Sequence, residues 1–513
     1  AAAGAIGPLA ALVRDGDALG KANAAVVLSN LSTGNAANTA AIVAAGAIGP
    51  LAALVRDGDA QGKANAAVAL ANLSIGNAAN TAAIVAAGAI GPLAALVREG
   101  DAQGKAYAAH ALANLSYSNA ANTAIIVEAG AIGPLAALVS DGDARGKANA
   151  AVVLSNLSTD DAANTAAIVA AGAIVPLAAL VRDGDAQGKA DAAHALANLS
   201  SGDAAHKAVI VAAGAIVPLA ALVRDGDALG KANAAVVLSN LSTGNAANTA
   251  AIVAAGAIGP LAALVRDGDA RGKANAAFAL ANLSTGNAAN TAAIVAAGAI
   301  GPLAALVRDG DAQGKADAAH ALANLSSGNA ANTAAIAAAG AIGPLAALVR
   351  DGDARGKANA AFALANLSTG NAANMAAIVE AGAIGPLAAL VRDGDARGKA
   401  NAAFALANLS TGNAANTAAI AAAGAIGPLA VLVRDGDAQG KADAAHALAN
   451  LSIGNAANKA AIVAAGAIGP LAALVRDGDA LGKANAANAL AILPIGNAAN
   501  TAAIVAAGAI GPL

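Results

Sequence analysis

A chain that repeats itself at a fixed period without an insertion folds as stacked copies of one supersecondary unit, and this chain does so every 42 residues. The leading Gly of GAIGPL, or of GAIVPL in two copies, stands at Gly4, Gly46, Gly88, Gly130, Gly172, Gly214, Gly256, Gly298, Gly340, Gly382, Gly424 and Gly466, and a partial copy opens at Gly508. Three leading residues, twelve copies and six closing residues account for all 513, so one array over 1–513 is expected, without linker or second domain. The core aliphatics of the first copy, Ile6, Leu9, Leu12, Val13, Leu28, Leu31, Ile42 and Val43, are too few to offset the entropy of ordering it. The remainder must come from backbone hydrogen bonds and from alanine buried against neighbouring copies, which is the logic of a solenoid.

Three helices fit into each copy. Asn35 opens a short apolar segment that ends near Ala45 and is broken by Gly46. Pro50 sits where a first turn tolerates it, and Leu51, Leu54 and Val55 follow at helical spacing. This second helix ends at RDGD, where Gly58 is expected to take a left-handed exit and Asp59 to cap the next helix. The third and longest helix spans about Ala18 to Ser32, stops at Gly34, and turns Ala24, Leu28 and Leu31 to the core.

Composition narrows the function. Aromatics make up 1% and Trp is absent, so small alanine faces must pack closely in place of large rings. A net charge of -3 without a basic run argues against nucleic acid or an anionic membrane as partner. Without Cys there are no disulfides, no thiolate chemistry and no Cys-based zinc site. The most apolar stretch, TAAIVAAGAIGPLAALV at 39–55, contains Gly46, Gly49 and Pro50 and reads as repeated core rather than a membrane span. GDALGK, Gly16 to Lys21, falls one residue short of a phosphate loop and continues with Ala22 instead of Ser or Thr. The DGD triplet needs no calcium, because Gly16 as helix exit and Asp17 as cap explain it, and Arg14, Asp15, Asp17 and Lys21 sum to zero as a solvated ridge. No nucleophile, base and orienting group recur together, so neither catalysis nor a cofactor is expected.

A short helix, a Gly break, a GAIGPLAALVRDGD second helix and a third helix ending LSNLS or LANLS closely resemble the armadillo repeat of catenins and nuclear-import adaptors, over the whole chain. The resemblance implies an all-α right-handed superhelical solenoid whose third helices line a concave groove, and that the groove holds an extended peptide. It also implies a cytoplasmic or nuclear setting, whereas a fibre would sit outside the cell. In the family, an Asn matching Asn30 pairs with the peptide backbone. Its equivalents are Asn72, Asn114, Asn156, Asn198, Asn240, Asn282, Asn324, Asn366, Asn408 and Asn450, with Ile492 replacing it in the last copy. A side-chain amide offers donors and an acceptor, so such a ladder can pair with an extended chain without reading its sequence. The family places Trp four residues earlier, where this chain has Val, His or Phe, and the acidic residues that catch Lys or Arg in import adaptors are mostly Asn here; a nuclear-localisation cargo is not expected.

The copies disagree in few places. KADAAHALANLS at 189–200 and KANAAFALANLS at 273–284 differ only where Asp191 and His194 become Asn275 and Phe278. At 100° per residue, positions 19, 26 and 33 of the long helix lie at about -40°, -60° and -80° relative to position 23, and Asn30 at about -20°. These positions form one stripe, away from the core face. It carries all five aromatics, Tyr107, Tyr117, Phe278, Phe362 and Phe404, together with His110, His194, His320 and His446. Both variable positions are therefore expected to face the groove. Asp191 with His194, Asp317 with His320 and Asp443 with His446 stand three residues apart, so each carboxylate is expected to favour the imidazolium and to make binding pH-sensitive between about pH 6 and 8. Two ligands per copy cannot complete a metal sphere. The NLS triplets match the N-glycosylation pattern but fall inside a helix.

Two functions follow: a non-catalytic interaction scaffold holding an extended peptide or partner along the Asn ladder, or a structural rod or filament subunit stacked end to end.

Overall fold

Each repeat folds as a short, a middle and a long helix, as in Ala414–Ala422, Ile426–Asp435 and Ala438–Ser452. The caps set the boundaries. Asn413 Oδ1 accepts from the Asn416 N–H at 3.0 Å to start the short helix, and Asp437 Oδ1 accepts from the Gly440 N–H at 2.7 Å to start the long one. Short and middle helices are separated by a glycine in the left-handed region, Gly424 at φ 75° and Gly466 at φ 74°, which breaks the apolar run into two helices at an angle of 79–81°. No single helix among the described residues is long and apolar enough to cross a membrane.

The computed structural model describes residues 2–508, with two units, Ala1–Ala257 and Ile258–Leu513, of eighteen helices each and no strand among those residues. Within each unit every long helix packs on the long helix of the next repeat and on the middle helix of its own, so the long helices form one layer and the middle helices another. In the second unit the buried side of the long helices is largely alanine: Ala360, Ala361 and Ala363 of Ala354–Ser368, and Ala402, Ala403 and Ala405 of Ala396–Ser410, are fully buried with Leu364 and Leu406. The first unit repeats this with Ala66, Ala67 and Ala69 around Leu70. Small residues let helix axes approach to the short end of the usual 8–10 Å, which is how a chain almost without rings fills its core.

The glycine of RDGD differs from expectation. Gly58 has φ -72° and ψ 169°, an extended conformation open to any residue. Space explains the glycine instead: in the equivalent Gly436 a Cβ would lie 2.6 Å from the Leu432 carbonyl oxygen and 2.8 Å from Leu432 Cδ1. Gly427, in the first turn of the same middle helix, has open space where its Cβ would be. Urea melts of the two variants should therefore diverge. Gly436→Ala is expected to lose about 1–2 kcal/mol through overpacking, and Gly427→Ala to gain about 0.5–1 kcal/mol through helix propensity.

Candidate interaction surface

The asparagine ladder is built into the protein's own framework. In the first unit the side-chain amide of Asn72 donates to the Ser29 hydroxyl at 2.9 Å, and those of Asn114, Asn156, Asn198 and Asn240 donate to the carbonyls of Ala71, Ala113, Ser155 and Ala197 at 3.0–3.3 Å. In the second, Asn324, Asn366, Asn408 and Asn450 donate to the carbonyls of Ala281, Ala323, Ala365 and Ala407 at 2.9–3.0 Å. Each acceptor sits in the last turn of the preceding long helix. Ala365 shows the pattern: the Thr369 N–H turns to the Asn366 carbonyl, and the Ala365 oxygen accepts from the Thr369 hydroxyl and from the Asn408 amide instead. The ladder thus corrects the expectation of an open row of donors and acceptors. Its N–H groups are turned inward, and what Asn324, Asn366, Asn408 and Asn450 retain is the amide oxygen, which accepts no bond from the described residues.

Two turns earlier on the long helix lies a second set of staples. Asn65 donates to the Ala22 carbonyl, Asn149 to that of Ala106, Asn359 to that of Ala316 and Asn401 to that of Ala358, at 2.8–3.0 Å. This position therefore faces the preceding long helix rather than a groove, which corrects the sequence expectation for Asp191, Asp317 and Asp443. Those carboxyls are buried, at 8%, 1% and 6% exposure, where an ionised side chain has no proton to give a carbonyl. Burial pushes each of them up to about 6. Gln187 donates to Asp191 at 2.9 Å and Gln439 to Asp443 at 2.9 Å, while Asp317 is paired with Arg355 of the next repeat. One oxygen of Asp317 remains buried without a partner.

The histidines titrate against expectation. Burial, and then the charges of Arg397 and Arg355, hold His320 down at about 4; burial alone lowers His446, and burial with Arg145 lowers His110. Asp317 and Asp443, three residues ahead of His320 and His446, are themselves desolvated and do not favour the imidazolium, so the groups that change charge near pH 6 are the aspartates. His194 Nδ1 lies 3.2 Å from the Ser155 hydroxyl.

The rings do lie in register. Phe278, His320, Phe362, Phe404 and His446 occupy one position on five consecutive long helices of the second unit, each half-buried. Phe278 and His320 are 6.3 Å apart between centroids, and the Arg355 guanidinium lies 5.2 Å from the Phe278 centroid. In the first unit Arg145 lies 5.7 Å from the Tyr107 centroid, Gln103 donates to the Tyr107 hydroxyl at 3.3 Å, and Tyr117, at the end of its helix, is 74% exposed. Among the described residues no group of three or more His, Asp or Glu is placed to hold a metal ion.

Sequence reasoning missed the partners of these residues, although a signal existed. Every aspartate triplet has Gln four residues ahead of Asp, as in Gln187, Asp191, His194; Gln313, Asp317, His320; and Gln439, Asp443, His446. Every phenylalanine triplet has Arg there: Arg271, Asn275, Phe278; Arg355, Asn359, Phe362; and Arg397, Asn401, Phe404. Gln is a neutral donor for a buried carboxyl, and Arg355 reaches back to Asp317 and Phe278 on the two preceding long helices. A third staple was also missed: Asn80, Asn332 and Asn416 of the short helices donate to the carbonyls of Leu73, Leu325 and Leu409 at 2.8 Å. His206 replaces this Asn in the fifth repeat, and its buried Nδ1 has no partner.

Helical repeats of this make, joined by side-chain staples between successive long helices, define an all-α solenoid. The armadillo/beta-catenin-like repeat family matches residues 35–75, 119–159 and 287–327, each a short, a middle and a long helix in order. The crystal structure of an engineered protein is similar at 33% identity with a TM-score of 0.66, covering 79% of this chain and 98% of its own. No curated protein matches. The chain belongs with the armadillo-like repeat proteins.

Proposed function

We propose that the chain is a non-catalytic protein-interaction scaffold that holds an extended peptide across the long helices of its repeats. The observation that carries this reading is the register of half-buried rings Phe278, His320, Phe362, Phe404 and His446 beside the free amide oxygens of Asn324, Asn366, Asn408 and Asn450. Each repeat offers an extended chain one acceptor for a backbone N–H and one ring for an apolar side chain. Helices packed 8–10 Å apart pass about two to three residues of extended chain per repeat, at about 3.3 Å each. Armadillo repeats generally mediate protein interactions, and that family trait supports the same reading.

Fluorescence anisotropy tests it with two labelled peptides, one repeating Glu, Leu and Ser and one repeating Lys, Leu and Ser. At least one is expected to bind, and Phe362→Ala with Phe404→Ala to weaken it by about 10-fold or more, as two ring contacts would, while the circular dichroism spectrum stays unchanged. Absence of binding by either peptide, or indifference to the two rings, refutes the proposal.

A further inference from the structure

The arginines of the ring-bearing helices form one internal complex and leave one vacancy of the same kind. Arg355 reaches back from its long helix to pair with the buried carboxylate of Asp317 on the preceding one, while its guanidinium lies over Phe278 a further repeat away. A planar guanidinium with a carboxylate at its edge and a ring against its face satisfies both its charge and its apolar surface. Arg397 occupies the equivalent place one repeat later, two turns from Phe404 on its own helix and one helix from Phe362. The residue that corresponds to Asp317 is there Asn359, whose amide donates to the Ala316 carbonyl and whose oxygen is buried without a partner. Arg397 is exposed and has no ion pair among the described residues, and its charge reaches the neighbouring His320.

We propose that Arg397 is a carboxylate anchor and that the partner of this strip is an acidic extended peptide, which supplies to Arg397 the carboxylate that Asp317 supplies to Arg355. The proposal rests on the peptide-binding reading above and adds the sign of the partner's charge. The apolar side chains of that peptide rest on Phe362 and Phe404, and its Glu or Asp residues fall at the guanidinium edge. Asp317 is then an internal competitor: it occupies Arg355, so that one arginine of the neighbouring two is open to a ligand.

Anisotropy with the same two labelled peptides separates the claims. The Glu peptide is expected to bind more tightly than the Lys peptide, with an affinity that falls as salt is raised. Arg397→Gln, at an exposed position that leaves the fold intact, is expected to weaken the Glu peptide by about 5- to 10-fold and to leave the Lys peptide unchanged. Asp317→Asn is expected to tighten the Glu peptide several-fold by releasing Arg355. Equal or tighter binding of the Lys peptide, or no response of the Glu peptide to Arg397→Gln, overturns the anchor while the peptide-binding reading stands. Failure of both peptides to bind removes that reading and the anchor with it.

Discussion

At neutral pH the Asp443→Asn variant is expected to be about 2–3 kcal/mol more stable than the parent chain, and near pH 4 the two are expected to match. Asp443 is buried against the preceding long helix, and desolvation is the largest cause that carries its carboxyl from 3.8 up to about 6, opposed by the hydrogen bond from Gln439. The sign follows from proton uptake. Between about pH 4 and 6 the folded chain holds a proton on this carboxyl that the unfolded chain has lost, so stability falls as pH rises through that window and stays low above it. A difference of about two units corresponds to about 3 kcal/mol. Asn has no charge to desolvate, and its amide can donate to the Ala400 carbonyl as Asn401 does to that of Ala358 and Asn485 to that of Ala442. Urea midpoints across pH 4 to 7 measure the effect. A gain of the same size at every pH would mean that packing, not charge, separates the two side chains.

Ala403→Leu is expected to cost about 3 kcal/mol or more. Ala402, Ala403 and Ala405 are fully buried on a long helix packed between two others, and Ala360, Ala361 and Ala363 of the preceding one are fully buried too, so little room is left for a larger side chain. Three added carbons must push two backbones apart, and in an array that strain passes to the next interface, which places the cost at or above the upper end for overpacked cores. Ala389→Val is the control. Its counterpart in the next repeat is already Val431, which is 47% exposed, and the change is expected to stay within about 0.5 kcal/mol. Thermal melts of the two variants should separate clearly; similar melting temperatures would show that the long-helix seam has slack.

Much of the architecture was legible because the same 42 residues were written twelve times. The long helix expected from Ala18 to Ser32 has those bounds, and Asn35 and Asp59 cap as their chemistry requires, accepting from the N–H groups of Asn38 and Gly62. Gly46 was read correctly as a break and lies at φ 72°. Gly58 was not, because its role depends on how closely the Leu54 carbonyl oxygen and side chain approach the place of a Cβ, which a turn rule based on φ alone does not state.

The surface was legible only as a list of positions. A helical wheel places Asn23, Val26 and Asn30 near one another on a single helix, but it is silent on how far around that helix the next one lies. Sequence alone determined the period, the helix boundaries, the caps and the alanine economy of the core, because these follow from backbone geometry and from short-range chemistry. Tertiary structure alone decided that Asp191, Asp317 and Asp443, three of the counterparts of Asn23, are sealed between long helices while the rings at the counterparts of Val26 stay half open, that the asparagine amides are spent on the preceding repeat, and that Arg355 has a carboxylate where Arg397 has none. The azimuth of a neighbouring helix is set by how all the side chains of the seam interlock, and desolvation, which moves the aspartates and histidines, follows from that azimuth.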